Sequence, residues 1–172
     1  KEELFILLYI FAVLDLDFYH IDEKRAFLNA KKQDERPRLA KIPSINQFYE
    51  ILGALYGTRD APRDYNDHSA KILINDMGCK RLHFCSCIYV KLDKIVDIEG
   101  NTKKIIFLFV FQFADDYLMG GNCTDYTENF IEDYRKIIKT TPPIKNPEKL
   151  LGLKLIRDRP KKIIKIIMES KI

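Results

Sequence analysis

"IIFLFVFQFADDYLMGG", residues Ile105 to Gly121, sets two adjacent carboxylates, Asp115 and Asp116, at the end of one of the most apolar runs in the chain. The run before Ala114 and the "YLM" after Asp116 pair naturally as a tight β-hairpin with the aspartates at its turn. Asp is a good turn residue, so the dipeptide alone has a purely structural explanation. Its flanks add something further. A hairpin this heavily buried is rigid, and a rigid hairpin holds a carboxylate in fixed geometry.

Working outward, hydrophobic periodicity gives a mixed pattern of helices and strands. "LFILLYIFAVL", Leu4 to Leu14, reads as a buried helix: its eleven residues are too few to span a bilayer, and Glu2 and Glu3 precede it instead of a basic segment. "FYHI" (Phe18 to Ile21) and "QFYEIL" (Gln47 to Leu52) read as strands. Asp60 is a helix N-cap with Pro62 in the first turn, and Tyr65, Ser69, Ile72, Leu73 and Met77 recur at helical spacing until Gly78. "CIYVKL" (Cys87 to Leu92) and "KIIFLFVF" (Lys104 to Phe111) are strands around the turn-like "DIEGN" (Asp97 to Asn101). A second amphipathic helix runs from about Asp125 to Lys139, with Asp125 and Glu128 in capping-box spacing. "KLLGLKLI" (Lys149 to Ile156) and "KIIKIIM" (Lys162 to Met168) then form a closing hairpin.

Helices fall between groups of strands, which favours an α+β fold with helices on one sheet face over a doubly wound parallel sheet. The helices of residues 62 to 77 and 125 to 139 are expected on the same face. With 172 residues and no linker or repeat, one domain spanning 1–172 is the expected organisation. The chain begins without Met, which reads as a piece of something longer.

The net charge of +4 is uneven: residues 145 to 172 carry +6, leaving −2 for the rest. That basic end suits a polyanion, or equally a solvated strand edge whose lysines discourage edge-to-edge pairing. "CKRLHFCSC" gathers Cys79, His83, Cys85 and Cys87 in nine residues, yet the spacing matches no usual zinc knuckle. Reduced, buried cysteines of an intracellular protein are the simpler expectation.

Adjacent like charges repel unless a cation sits between them. A divalent ion does that. Mg²⁺ binds through one or two carboxylates plus substrate phosphates, and a pair of ions stabilises both the attacking and the leaving oxygens of an in-line phosphoryl displacement. A third carboxylate from elsewhere in the chain is then needed, and "DLDFYHIDEKRAFLNA" offers Asp15, Asp17 and Asp22.

"HIDEKRAFLNA" (His20 to Ala30), "ALYGTRDAPRDYNDH" (Ala54 to His68) and "FADDYLMGGN" (Phe113 to Asn122) together resemble, in order and spacing, the palm motifs of copia-type retrotransposon reverse transcriptases. In that family an Asp precedes "xKTAFLNG", a block similar to "LYGLKQAPRxWY" follows, and a "YVDD" hairpin comes third. "KLLGLKLIRD" is like the family's "LGxEI" strand, so the likeness spans nearly the whole chain. The resemblance implies a polymerase palm-like antiparallel sheet, RNA-directed DNA polymerase activity, and Asp22, Asp115 and Asp116 as catalytic carboxylates holding two Mg²⁺ or Mn²⁺ ions. It implies Asp22 and Asp115 as the direct metal ligands, with Asp116 more peripheral. It also implies nucleotide-facing roles for Glu23, Phe27, Arg59 and Arg63, with Phe27 as an aromatic gate against a ribose 2′-OH. Phe27 also suits plain core packing, and Asp60 with Pro62 a plain helix start. The implied partners are an RNA or DNA template-primer, deoxynucleotides, and the remaining polymerase subdomains or a larger assembly. No membrane is implied, and the implied setting is a cytoplasmic particle.

The chain also departs from the family pattern. Glu23 stands where a small aliphatic residue is usual, an added carboxylate beside the expected ions. Thr58, Arg59 and Asp60 replace "LKQ", "FADD" replaces "YVDD", and Trp is absent. Fingers strands, thumb and RNase H segments are not recognised in the 172 residues. Two readings follow: an active polymerase domain, or a domesticated palm without activity that serves as a structural or RNA-binding component.

Overall fold

The computed structural model describes residues 2–30, 37–55, 57–96 and 102–168. The turn expected at Asp97 to Asn101 lies outside the described residues. In chain order the elements are α1 (Glu2–Val13), β1 (Phe18–Asp22), α2 (Ala26–Asn29), β2 (Leu39–Ile42), β3 (Gln47–Glu50), α3 (Ala61–Lys71) with a π-helical extension Ile72–Asp76, β4 (Lys80–Leu82), β5 (Cys85–Val96), β6 (Thr102–Phe113), β7 (Asp116–Gly121), α4 (Thr124–Ile137), β8 (Ile144–Lys145), β9 (Lys149–Leu150), β10 (Leu153–Asp158) and β11 (Ile163–Met168).

The apolar hairpin is the centre of the molecule. β6 and β7 pair antiparallel from Phe113↔Asp116 to Leu108↔Gly121, leaving Ala114 and Asp115 as the two-residue turn. β1 pairs antiparallel with the other edge of β7, and the full six-stranded order is β4-β5-β6-β7-β1-β8. Aromatic and β-branched residues dominate β5 and β6, which suits a pleated, buried surface. The "GG" closing β7 has a steric reason. A Cβ on Gly121 would lie 2.2 Å from the Phe107 carbonyl oxygen, so only glycine lets the two strands close there.

Alternation along β1 and β7 feeds two cores. On one face Tyr19, Ile21, Tyr117 and Met119 pack with Leu73 from the end of α3 and with Phe130, Ile131 and Tyr134 of α4. On the other, Phe18, Phe111 and Leu118 pack with Leu4, Leu7, Leu8 and Phe11 of α1 and with Leu155 of β10. Burying each of those α1 side chains is worth roughly 1.5–3 kcal/mol, which fixes the helix against the sheet.

The α+β class is therefore as expected, and the helices of residues 62–77 and 125–139 do share a face. The expectation that helices cover only one face is corrected. α1 packs on the opposite side, because central strands that are apolar on both faces need cover on both. No helix among the described residues is long and apolar enough to cross a membrane.

Local boundaries shift for identifiable reasons. The strand expected over Lys149 to Ile156 is split into β9 and β10 by Leu151 (φ 49°) and Gly152 (φ 76°), whose consecutive left-handed conformations make a two-residue hairpin turn. The capping box expected at Asp125 and Glu128 is not the start of α4. The helix begins at Thr124 after Cys123, and the Glu128 carboxylate accepts a hydrogen bond from the Tyr19 hydroxyl. β2 and β3 form a separate two-stranded ribbon. Arg38 anchors it through an ion pair to Asp64, a fully buried carboxylate of α3.

Candidate active site

β1 and β7 both end at the acidic cluster. The Glu23 N–H donates to the Asp115 carbonyl over 2.8 Å, which makes Glu23 and Asp115 a hydrogen-bonded pair. The adjacent pair, Asp22 and Asp116, is therefore of the non-hydrogen-bonded type, with Cα atoms about 4.5 Å apart and side chains on the same face. Asp22 is stapled from its other edge as well. Its N–H donates to Thr141 Oγ1 over 2.9 Å, and its carbonyl accepts from the Thr141 N–H over 2.8 Å. Asp115 sits in the hairpin turn behind Ala114, whose φ of 51° lies in the left-handed region. Ala rarely adopts that conformation, and strain of this kind persists where surrounding structure over-determines it. All three carboxylates are partly exposed.

The three carboxylates are neighbours whose oxygens do not all come within 4.8 Å of one another, and their proximity has an electrostatic signature. The Asp22 carboxyl is held above its ordinary value of 3.8 by partial burial first, then by the Asp115 and Asp116 charges; His20 and Lys24 oppose the rise. His20 Nε2 lies 2.6 Å from Asp116 Oδ1, where an ionised carboxylate is an acceptor only, so the imidazole N–H donates. His20 was not singled out from sequence, although the two-residue spacing to Asp22 on one strand was the signal that could have found it.

Glu23 is placed differently from expectation. It is 2 % exposed and points to the face opposite its neighbour Asp22. There it accepts hydrogen bonds from Tyr65 Oη (2.6 Å), Asn29 Nδ2 (3.2 Å) and Tyr117 Oη (3.4 Å). The nucleotide-facing role expected for Glu23 is corrected to a core polar anchor, since strand alternation turns consecutive residues to opposite faces. Burial, followed by the neighbouring phenol and carboxylate for Tyr65 and by the carboxylate for Tyr117, pushes both hydroxyls upward and keeps them donors.

Phe27 is half-buried, its ring 5.1 Å from that of Tyr65. Arg59 is exposed in the turn before α3. Arg63 is 58 % exposed and lies 3.8 Å from Asp60 and 3.9 Å from Asp64. Asp15 and Asp17, the alternatives to Asp22, belong to the far end of β1. There Arg157 and Arg159 bind Asp15, while Arg159 and Lys145 bind Asp17. Burial disfavours the Asp17 charge, but hydrogen bonds from Asn146, Arg159 and Lys145 outweigh it and lower its carboxyl to about 2. Of the three candidates only Asp22 joins the acidic pair.

Beyond β1, Lys24, Arg25, His68 and Lys139 line an open groove of about 800 Å³, floored by Ile72, Ile137 and Ile138. Hard carboxylate oxygens at the strand ends suit Mg²⁺ or Mn²⁺, and the partly uncompensated charge on Asp22 fits a cation there. Comparison with protein-family models, curated proteins and solved structures finds no match.

Proposed function

We propose that this chain is the palm domain of a copia-type reverse transcriptase, an RNA-directed DNA polymerase working by two-metal nucleotidyl transfer. The observation that carries the reading is the cross-strand pair of Asp22 and Asp116 with Asp115 in the adjoining turn: three acids remote in sequence and adjacent on one sheet end. The six-stranded antiparallel sheet with α3 and α4 on the face away from Asp22 and Asp116 is the arrangement a palm would need.

Asp22 and Asp115 would hold two Mg²⁺ or Mn²⁺ ions, with Asp116 as the outer carboxylate. Such ions, when bound, stabilise the attacking 3′-oxygen and the leaving pyrophosphate oxygen. The chain's own contribution is positioning. Thr141 and the Glu23 backbone fix Asp22 between two neighbouring segments, and the hairpin turn fixes Asp115. Lys24, Arg25 and Lys139, in the groove on the α3–α4 side of the sheet, offer cationic contacts to nucleic-acid phosphates away from the carboxylates, while the template supplies sequence through base pairing. Template-primer and deoxynucleotides are the substrates, and other polymerase subdomains or a larger assembly complete the grip.

A second reading is a domesticated palm without polymerase activity that acts as a structural or RNA-binding component. The hydrogen bond from His20 favours it, because that bond occupies an oxygen of Asp116 that an ion would otherwise use. Primer extension on poly(rA)/oligo(dT) with Mg²⁺ or Mn²⁺ separates the two. Incorporation that disappears in a folded Asp115→Asn variant supports the polymerase. Binding of template-primer without incorporation at any concentration of either ion overturns it and leaves the second reading.

A further inference from the structure

The carboxylate of Glu3 and the thiols of Cys85 and Cys87 converge at the junction of α1 and β5, with all three ligand atoms within 4.8 Å of one another. We propose that they form a zinc site that clips the first turn of α1 to the sheet, independently of the acidic cluster at Asp22.

The fold assembles this group from residues far apart in sequence. Leu4, Leu7 and Leu8 bury against the sheet beside Cys85 and Ile88, and this docking carries Glu3 onto the cysteines. The β4–β5 register shifts between Arg81 and Leu82. A bulge of that kind re-aims side chains locally, and Cys85, Cys87 and Ile88 all pack into the α1 core. Cys79, the remaining thiol of "CKRLHFCSC", lies in the core on the opposite face. The ligand set is therefore not the Cys–His cluster that the local sequence suggests, but two of its cysteines joined to an acid from the opening helix.

The chemistry is that of a soft or borderline ion. Cys85 Sγ and Cys87 Sγ are 3.3 Å apart. Tetrahedral zinc, with Zn–S of about 2.3 Å, separates its sulfurs by roughly 3.8 Å, so a half-ångström opening of the pair admits the ion. Two thiolates and one carboxylate select zinc over magnesium, and the half-buried rim at Cys87 leaves a fourth position for water. Zinc is held by thiolates, so its binding displaces the thiol protons into solvent.

Cobalt titration of the full chain tests this, because thiolate-to-Co²⁺ charge transfer reports sulfur ligands and is silent for carboxylate sites. The expected result is one tightly bound Co²⁺ with a tetrahedral thiolate spectrum, displaced by Zn²⁺ and unchanged in Cys79→Ser. Cys87→Ser should lose the charge-transfer band by at least half, and Glu3→Gln should keep the band but weaken affinity about tenfold. Circular dichroism verifies that each variant is folded. No thiolate band in the wild type, a band that follows Cys79 instead of Cys85 and Cys87, or undiminished affinity in Glu3→Gln overturns the proposal. Asp22→Asn should leave the band intact, so this result stands apart from that of primer extension.

Discussion

Asp22 of β1 and Asp116 of β7 face each other as a non-hydrogen-bonded pair, the position in an antiparallel ladder where opposing side chains come closest. Two like charges placed there are destabilising by themselves. The strand ends hold them because Thr141 on one side and the Glu23–Asp115 backbone pair on the other leave Asp22 no route away.

The pH dependence of stability follows from this pair. With its carboxyl raised above 3.8, folded Asp22 binds more protons than the unfolded chain in the interval between the two values. Its neutral form favours folding below that interval, and this contribution is lost as pH rises through the folded value. Without divalent ions, Asp22→Asn should gain stability relative to wild type as pH rises above the ordinary carboxyl value of 3.8, and added Mg²⁺ should narrow the gap. Urea midpoints measure it. Parallel curves for the two proteins would sink the electrostatic account.

His20 competes with any ion for Asp116 Oδ1. His20→Ala should therefore tighten Mn²⁺ binding by about two- to fivefold, a modest factor because only one carboxylate oxygen is released. Electron paramagnetic resonance of free Mn²⁺ reads this directly. Unchanged binding means that the imidazole does not limit ion access.

Glu23 is a buried acid whose partners are hydroxyl and amide donors. Glu23→Ala removes an acceptor from Tyr65, Tyr117 and Asn29, which keep only the Tyr65–Tyr117–Ser69 hydroxyl chain and the Lys24 carbonyl, and should lower unfolding stability by about 1–3 kcal/mol. Glu23→Gln keeps one acceptor oxygen and should lose no more than about half of that. Chemical denaturation distinguishes them, and equal losses in the two variants would contradict the hydrogen-bond argument.

Arg38 and Asp64 tie the β2–β3 ribbon to α3. Arg38→Met strands a fully buried carboxylate and should destabilise by about 3–5 kcal/mol, most of it recovered when Asp64→Asn is added. Hydrogen exchange across residues 39–50 should rise in the single variant. If the two substitutions simply add, the pair is not coupled.

Much of the fold was legible locally. The apolar run Ile105 to Phe113 and the short strand after it follow from alternation and turn chemistry, which act within a few residues, although the turn falls on Ala114 and Asp115, one residue before the expected Asp115–Asp116 pair. Gly78 as the stop after α3 was legible too, its φ of 69° being one that glycine adopts without strain. The split at Leu151 and Gly152 was not, because leucine carries no turn signal. Glu23 and His20 were misread or passed over for one reason: the face on which a strand residue emerges acquires meaning only when the layer covering that face is known.

The sequence alone settled the α+β alternation of elements and the candidacy of Asp22, Asp115 and Asp116, because periodicity, turn propensity and residue spacing are properties of the local chain. Tertiary structure chose Asp22 over Asp15 and Asp17, sent Glu23 into the core, and brought Glu3 to Cys85 and Cys87. Those outcomes depend on strand register and on which helix covers which face, and both are decided by packing between segments dozens of residues apart.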